Sequence, residues 1–203
     1  MNYFVTGINT GSGKTIVSAV LCQALQADYW KPVQCGIDER DLDQVKSLVN
    51  NGHTLFFDEA YCLTEPASPH QAASMENTRI TLSTIELPDN GGNDLIIEGA
   101  GGALVPLNDD EVIIDIAARF GAEIVVVADL YLGSINHTLL TVNELRARGL
   151  VIKGIVFNGP DNSHSREIIS KKTGLKTLLH LKPEPDINEA VITKYAIELF
   201  NNW

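Results

Sequence analysis

The stretch YFVTGINTGSGKTIVSAVL, residues 3–21, joins three patterns that decide the fold. A short apolar run is followed by a loop of glycines and small polar residues, and then by apolar residues at helical spacing. Such a loop between a strand and a helix binds phosphates, because glycines let backbone N–H groups turn inward and the helix adds its positive end. Lys14 can bridge the β- and γ-phosphates, and the Thr15 hydroxyl can bind Mg²⁺. The stretch therefore predicts a phosphate loop and disfavours an ordinary glycine-rich turn.

This loop departs from the usual spacing. Gly7 is followed by five residues before Gly13, where four are usual, and Ile8 stands at a position that is usually glycine. Partner-activated ATPases of the plasmid-partition type carry a lysine early in the loop, at the position of Asn9 in this chain. Guanine-binding proteins carry an Asn-Lys-x-Asp motif, whereas the nearest segment, FNGPD (157–161), has no lysine. The pattern predicts a variant loop outside both classes.

Beyond the loop, strand-like apolar runs alternate with segments of helical spacing. The strand-like runs are 3–6, 28–33, 94–99, 123–129, 152–158 and 176–181. The helix-like segments are 14–27, 41–50, 111–120, 134–148, 163–174 and 188–201. The alternation predicts an α/β, P-loop NTPase-like fold with a mostly parallel sheet and helices on both faces. The length predicts one domain over residues 1–203, in which residues 53–93 are the least regular part.

The composition restricts the partners and the compartment. A net charge of −11 and a pI near 4.8 would repel nucleic acid and anionic membranes, so we expect small-molecule partners. The three cysteines, Cys22, Cys35 and Cys62, form no CxxC pair and lie near no histidine cluster, which disfavours a metal-thiolate site and fits a reducing compartment. The sequence has neither a basic leader nor the roughly 18 apolar residues that span a bilayer, and we expect a cytoplasmic protein.

Two charged residues outside the loop also indicate a site. Glu98 ends an apolar strand and precedes the small-residue run GAGG, where a carboxylate can hold a metal-bound nucleotide directly or through water. Lys31, in WKPVQCG (30–36), interrupts an apolar strand end, which is costly unless the ammonium is paired or faces an anion. A solvated carboxylate and a snorkelling surface lysine are the alternatives. Beside a phosphate loop, the two charges favour a site for an anionic substrate or for phosphoryl transfer.

These motifs, in this order and spacing, resemble those of the dethiobiotin synthetase family. The matching stretches cover nearly the whole chain: YFVTGINTGSGKT (3–15), WKPVQCG (30–36), EPASPH (65–70), IIEGAGGALVPL (96–107), LGSINHTLLT (132–141), GLVIKGIVFN (149–158) and LLHLKPEPD (178–186). The resemblance implies an ATP- and Mg²⁺-dependent cyclo-ligase of biotin biosynthesis, which converts 7,8-diaminononanoate and CO2 to dethiobiotin, ADP and phosphate. One amine captures CO2 as a carbamate, ATP converts the carbamate to a carbamic-phosphoric anhydride, and the other amine closes the ring.

The resemblance also implies roles for individual residues. Lys31, Lys14 and Thr10 are the implied catalytic residues, which contact the carbamate and the phosphoryl group in transfer. The implied nucleotide-binding residues are Gly11, Ser12, Gly13, Lys14, Thr15, Ile16, Asp43, Glu98, Gly99, Ala100, Gly101, Asn158, Pro183 and Glu184. The implied substrate-binding residues are Thr10, Lys31, Cys35, Gly101, Gly133, Ser134, Ile135 and Asn136.

The implied Mg²⁺ ligands are Thr15, Glu98 and one aspartate of ERDLDQV (39–45). Asp43 is the preferred aspartate, and Asp41 also fits, because the spacing does not distinguish them.

The segment LGSINH (132–137) resembles the family's dimer-crossing element, in which backbone groups and Asn136 of one subunit bind the substrate carboxylate in the other subunit's site. A helix that begins at Ser134 would offer free N–H groups to that anion. An ordinary helix cap is compatible with the same residues. The resemblance thus implies a homodimer whose substrate site is shared across the interface.

Two residues depart from the family's pattern. Cys35 stands where a serine is expected, and we do not interpret it as a nucleophile, because the reaction needs none and no histidine base lies nearby in sequence. Gly11 replaces a residue that is often acidic, which puts the nucleotide affinity in question. His70 and His137 lie in matching motifs and are interpreted as structural.

Two other classes share parts of this pattern. A positioning ATPase that binds a partner or a membrane would carry the early loop lysine and a basic or amphipathic C-terminal surface, whereas residues 190–203 contain one lysine. The amidating synthetases of the cobalamin pathway append a glutamine-hydrolysing domain, for which 203 residues leave no room. The cyclo-ligase remains the favoured hypothesis.

Overall fold

The computed structural model describes residues 1–203 and has a seven-stranded parallel sheet at its centre. The strands are β1 (Asn2–Gly7), β2 (Asp28–Trp30), β3 (Val33–Cys35), β4 (Phe56–Phe57), β5 (Tyr61–Leu63), β6 (Leu95–Gly102), β7 (Glu123–Asp129), β8 (Ile152–Asn158) and β9 (Thr177–Leu181). The helices are α1 (Lys14–Leu25), α2 (Asp41–Leu48), α3 (Pro69–Met75), α4 (Ile114–Arg119), α5 (Ser134–Ala147), α6 (Ser163–Thr173) and α7 (Glu189–Asn201). None of the helices has the length and apolar character needed to cross a bilayer.

The order across the main sheet is β4-β2-β6-β1-β7-β8-β9, and β3 and β5 form a separate pair. Every pairing in both sheets is parallel. Because all strands point the same way, the segments that follow β1, β2 and β6 meet at one edge. The phosphate loop and Lys31 lie at this edge, and Glu98, within β6, lines the same cavity.

Helices cover both faces of the main sheet, because successive strand residues point to opposite sides. Within β1, Tyr3 and Val5 pack in a cluster that includes residues of α1, α2 and α7. Phe4, between them, packs in the opposite cluster with residues of α3, α4, α5 and α6. The two clusters hold 23 and 24 buried residues, so the sheet is a central layer between two cores. The predicted α/β fold with helices on both faces is confirmed.

Pro32 divides a segment that the sequence predicts as one strand, residues 28–33. The structure contradicts that prediction, because β2 ends at Trp30 and the chain enters the second sheet at Val33. Proline has no N–H to donate to a strand partner, so pairing in the main sheet stops there. Lys31 consequently lies in the gap between the two sheets.

Other boundaries shift where short hydrogen-bonded turns replace regular structure. Helix α4 begins at Ile114 rather than at residue 111, because Leu107 and Asn108 bond the carbonyl of Glu111 in a turn. Strand β6 continues through the GAGG run to Gly102. Residues 53–93 contain β4, β5, α3 and a 3₁₀ turn, all too short to give a periodic signal.

Candidate active site

A cavity of about 630 Å³ lies at the carboxyl edge of the sheet. Its size suits a small-molecule ligand, and its position is the usual ligand site of a parallel α/β sheet. Most of the residues proposed from sequence for the phosphates and the chemistry line it: Thr10, Gly11, Gly13, Lys14, Thr15, Ile16, Lys31, Cys35, Glu98, Ala100 and Gly101. The fold thus brings together segments that are up to about 90 residues apart in sequence.

The phosphate loop connects β1 to α1. Gly11 and Gly13 have φ angles of 79° and 92°, in the left-handed region that favours glycine. Helix α1 begins at Lys14, so its first N–H groups face the loop. The Asn158 Nδ2 atom donates a hydrogen bond of 2.9 Å to the carbonyl oxygen of Ser12, and a Cβ on Gly13 would collide with the same amide. The end of β8 therefore fixes the loop from outside.

Four polar side chains meet beside the loop. The Lys31 Nζ atom forms an ion pair with Asp41 Oδ2 and lies 3.7 Å from Glu98 Oε1. The Thr15 Oγ1 atom donates to the same Glu98 oxygen at 3.0 Å. Burial raises the pKa of Glu98, and the charges of Lys31 and Lys14 only partly oppose that rise. This cluster places two carboxylates, a hydroxyl and an ammonium at one wall of the cavity.

Both lysines of the cavity are buried: Lys14 is 7% exposed and Lys31 is 6% exposed. Burial lowers the pKa of Lys14; the Glu98 charge opposes this effect, and the Lys31 charge adds to it. Burial also acts to lower the pKa of Lys31, but Glu98 and Asp41 outweigh it, so the pKa is raised. Lys31 is therefore held as an ammonium, and Lys14 lacks a close carboxylate partner of its own.

Helix α2 distinguishes the two candidate aspartates. Asp41 lines the cavity and contacts Lys31, whereas Asp43 is exposed and does not line the cavity. Residues two positions apart on a helix point about 200° apart, so only one of the two can face the sheet edge. The geometry therefore favours Asp41 over the preferred Asp43, and a metal role for either aspartate stays a prediction.

Six residues assigned to the nucleotide from sequence do not line the cavity: Ser12, Asp43, Gly99, Asn158, Pro183 and Glu184. Gly99 is buried, and a Cβ there would lie 2.9 Å from the ring of Phe4, so this glycine makes room for the core. Pro183 and Glu184 follow β9, and Glu184 accepts a hydrogen bond from Tyr195 at 2.7 Å. Strand β9 lies three strands away from β1, which leads into the phosphate loop, in the order of the sheet.

The predicted dimer-crossing residues form the start of α5, outside the cavity of the single chain. Gly133 has a φ of 109°, which favours glycine, and it directly precedes the helix. Ser134 is buried, and its Oγ atom has no hydrogen-bond partner. Ile135 and Asn136 are exposed, and Leu132 is fully exposed. Apart from Ser134, the segment therefore presents its side chains to the surface.

The two departures from the family's pattern have separate consequences. Gly11 has open space for 4 Å around the position of a Cβ, so nothing in the chain fills the place of the expected acid. Burial raises the pKa of the Cys35 thiol to about 11, against the opposing charge of Lys31, and a protonated thiol is a poor nucleophile. His70 and His137 do not line the cavity.

Sequence reasoning missed two parts of the site. The segment 66–69 lines the cavity, and its only signal is that EPASPH is among the matching stretches. Tyr29 donates a hydrogen bond of 3.0 Å from its hydroxyl to Glu98 Oε2. A tyrosine within an apolar run has the pattern of a core residue, and only the need of a buried hydroxyl for a partner indicates more.

The phosphate loop, the parallel sheet and the buried acid within β6 define a P-loop nucleotide-binding protein. Solved structures agree: the MinC:MinD cell division complex of Aquifex aeolicus matches with a TM-score of 0.59 at 14% identity, over 98% of this chain and 94% of that chain. The septum site-determining protein MinD of Pyrococcus horikoshii, complexed with Mg-ADP, matches with a TM-score of 0.55 at 16% identity, over 98% and 95%. At these identities the likeness establishes the fold alone.

Sequence comparison gives the family. A family model described as an AAA domain matches residues 1–191. The ATP-dependent dethiobiotin synthetase of Cytophaga hutchinsonii is 57% identical over 99% of this chain and 98% of its own length. The enzyme of the same name from Christiangramia forsetii is 42% identical over 96% of this chain and 94% of its own length. The chain belongs to the ATP-dependent dethiobiotin synthetase family.

Proposed function

We propose that the cavity at the sheet edge is the active site of an ATP-dependent dethiobiotin synthetase that carboxylates 7,8-diaminononanoate and closes the ureido ring. The observation that carries this assignment is the pair of buried lysines that face one cavity. Lys14 belongs to the phosphate loop and serves the nucleotide, as in other proteins with this loop. Lys31 comes from a different strand, and a second buried ammonium suits a second anion, here the carbamate.

The side chains of the cavity have roles in successive steps of the reaction. One substrate amine bonds to CO2 and releases a proton, and the resulting carbamate lies between Lys31 and the Thr10 hydroxyl. A carbamate oxygen then attacks the γ-phosphorus as ADP leaves, while Lys14 and Lys31 stabilise the charge on the transferring phosphoryl group. The second amine attacks the carbonyl carbon and releases a proton, the ring closes and phosphate leaves. Cys35 lines the substrate part of the cavity as a protonated thiol without a covalent role.

The oxygen donors at one wall of the cavity fit Mg²⁺. Thr15, Glu98 and Asp41 supply a hydroxyl and two carboxylates, which are ligands that Mg²⁺ prefers, and nucleotide phosphates would complete the set. Bound Mg²⁺ supplies neutralisation of the phosphate charge. Glu98 and Asp41 already share the charge of Lys31, so they hold the ammonium and the metal position side by side.

The base of ATP is assigned to the loops after β8 and β9. Asn158 uses its Nδ2 atom to hold the phosphate loop, which leaves its Oδ1 atom to accept from the adenine amino group. Strand β9 is the neighbour of β8, so Pro183 and Glu184 stand beside this position. The hydrogen bond from Tyr195 to Glu184 connects this loop to α7. We assign to the loop a role in lining the base.

A homodimer would complete the substrate site. Exposed apolar residues surround the start of α5, and a groove of about 430 Å³ is lined by Leu104 and Leu140 together with Thr10. Because Thr10 also lines the main cavity, a partner seated on this groove would bring the start of its own α5 close to the substrate. The substrate carboxylate would then be bound by Gly133, Ser134, Ile135 and Asn136 of the partner chain. We place the reaction in the cytoplasm, where thiols stay reduced.

Subunit mixing tests this shared site. A Lys14→Met variant loses its chemistry in its own cavity, and an Asn136→Ala variant loses the contact that it makes in the partner's cavity. Mixing the two inactive variants creates heterodimers with one intact site, so about a quarter of the wild-type rate should return for a symmetric dimer with equal exchange. A mixture that stays as inactive as its components, under conditions where subunits exchange, contradicts the shared site.

A further inference from the structure

Tyr29 is the only tyrosine whose hydroxyl reaches the catalytic wall. Its side chain is 0% exposed, and its hydroxyl donates to Glu98 Oε2 at 3.0 Å. Strand β2 pairs Tyr29 with Ile96, and Glu98 lies two residues further along β6 on the same face. The phenol ring therefore leans along the strand direction, through the core, and ends at the carboxylate.

The two oxygens of Glu98 face different surroundings. Oε1 accepts from Thr15 and lies 3.7 Å from the Lys31 ammonium, at the cavity. Oε2 accepts from Tyr29, on the core side. A buried carboxylate oxygen without a donor is strongly disfavoured, so the phenol both satisfies Oε2 and fixes the rotation of the carboxylate. Tyr29 is the one donor in hydrogen-bond geometry to Oε2, and the nearby Ser18 hydroxyl acts to lower the pKa of Glu98.

We propose that Tyr29 is a positioning residue for the metal: its hydroxyl holds Glu98 so that Oε1 faces the Mg²⁺ position. The proposal rests on the metal role assigned to Glu98 under the proposed function. Groups that orient a metal ligand from behind commonly change metal affinity by about 10- to 100-fold when removed. Tyr29 is fully buried and does not line the cavity, so its effect should pass through Glu98.

Manganese binding measures this effect without turnover. The Tyr29→Phe variant keeps the ring and removes one oxygen, and free Mn²⁺ is read from its electron paramagnetic resonance signal in the presence of saturating ADP. We expect the Kd for Mn²⁺ to rise about tenfold, while the Kd for ADP in the presence of EDTA stays within twofold of wild type. A Mn²⁺ affinity within twofold of wild type overturns the proposal.

Tyr3 provides a matched control. It pairs with the same residue, Ile96, from the other side of β6, but its ring packs against Trp203 with 5.0 Å between centroids. Tyr3→Phe therefore removes the phenol oxygen of another buried tyrosine at the same level of the sheet, without touching Glu98, and should leave Mn²⁺ binding unchanged. A loss equal to that of Tyr29→Phe would mean that general loosening of the sheet causes the effect, which also overturns the proposal.

The Glu98→Gln variant separates this proposal from the function on which it rests. If Glu98 holds the metal, Glu98→Gln alone weakens Mn²⁺ binding strongly, and adding Tyr29→Phe to it causes little further loss, because the two residues act as one unit. Full additivity in the double variant overturns the positioning role while leaving the metal site in place. Unchanged Mn²⁺ binding in Glu98→Gln overturns the metal assignment itself, and the Tyr29 proposal with it.

Discussion

Replacing Lys31 with methionine should stop the chemistry while leaving nucleotide binding largely intact. The Lys31 Nζ atom lies 3.7 Å from Glu98 Oε1, and two unit charges at that separation interact by about 4 kcal/mol at an effective dielectric constant of 20. If the carbamate and the transferring phosphoryl group develop their charge at a similar distance, the same energy corresponds to a loss of about 10³ in kcat. Lys14 and the phosphate loop are unchanged, so the Kd for ADP should stay within about threefold of wild type.

The assay is single-turnover formation of dethiobiotin, with ADP affinity and thermal unfolding measured on the same sample. The unfolding measurement is needed because removing one member of a buried ion pair costs about 3–5 kcal/mol of stability. The matched control is Lys46→Met, which removes an exposed lysine from α2 without touching the cavity. A folded Lys31→Met protein with kcat within tenfold of wild type would refute the reasoning.

Three further predictions follow from the same wall of the cavity. In a Mg²⁺ titration of the rate, Asp41→Asn should raise the Mg²⁺ concentration for half-maximal rate by about tenfold, whereas Asp43→Asn should leave it unchanged. Equal effects of the two variants would contradict the placement of α2. Cys35→Ser should keep kcat within about threefold of wild type, because the thiol has no covalent role, and an inactive but folded variant would overturn that assignment. Burial raises the pKa of Cys35 to about 11, so its alkylation rate should still increase about tenfold per pH unit between pH 8 and 10. Mass spectrometry at pH 8 should find the exposed Cys62 modified first. A Cys35 alkylation rate that levels off below pH 9 would contradict the burial.

The sequence correctly predicts the parts of the fold that have strong periodicity or a backbone conformation that requires a particular residue type. Strand β7 and the start of α5 appear where the pattern places them, because a long apolar run or a left-handed glycine before a helix allows few alternatives. Pro32 by itself predicts the end of β2, but the apolar residues around it favour one longer strand. Strands of two or three residues, such as β4 and β5, are specified by tertiary pairing and leave no periodic trace.

The site shows the same division. Lys14 and Thr15 are predictable because the phosphate loop is a local motif, and Glu98 is predictable because it is a carboxylate between an apolar run and a run of small residues. The choice between Asp41 and Asp43 depends on which face of α2 meets the sheet edge, and spacing within eight helical residues does not determine that face. Tyr29 depends on packing across two strands, so no local pattern distinguishes it from a core tyrosine.

One labelling experiment tests directly whether this cavity incorporates CO2 into the ureido ring as ATP is converted to ADP. The purified protein is incubated with 7,8-diaminononanoate, ATP, Mg²⁺ and ¹⁴C-bicarbonate, and acid-stable label is counted beside ADP. The proposed function predicts acid-stable label in dethiobiotin in equal amount to the ADP formed, and none when the diamine or ATP is left out. Formation of ADP without acid-stable label in the complete mixture would contradict it.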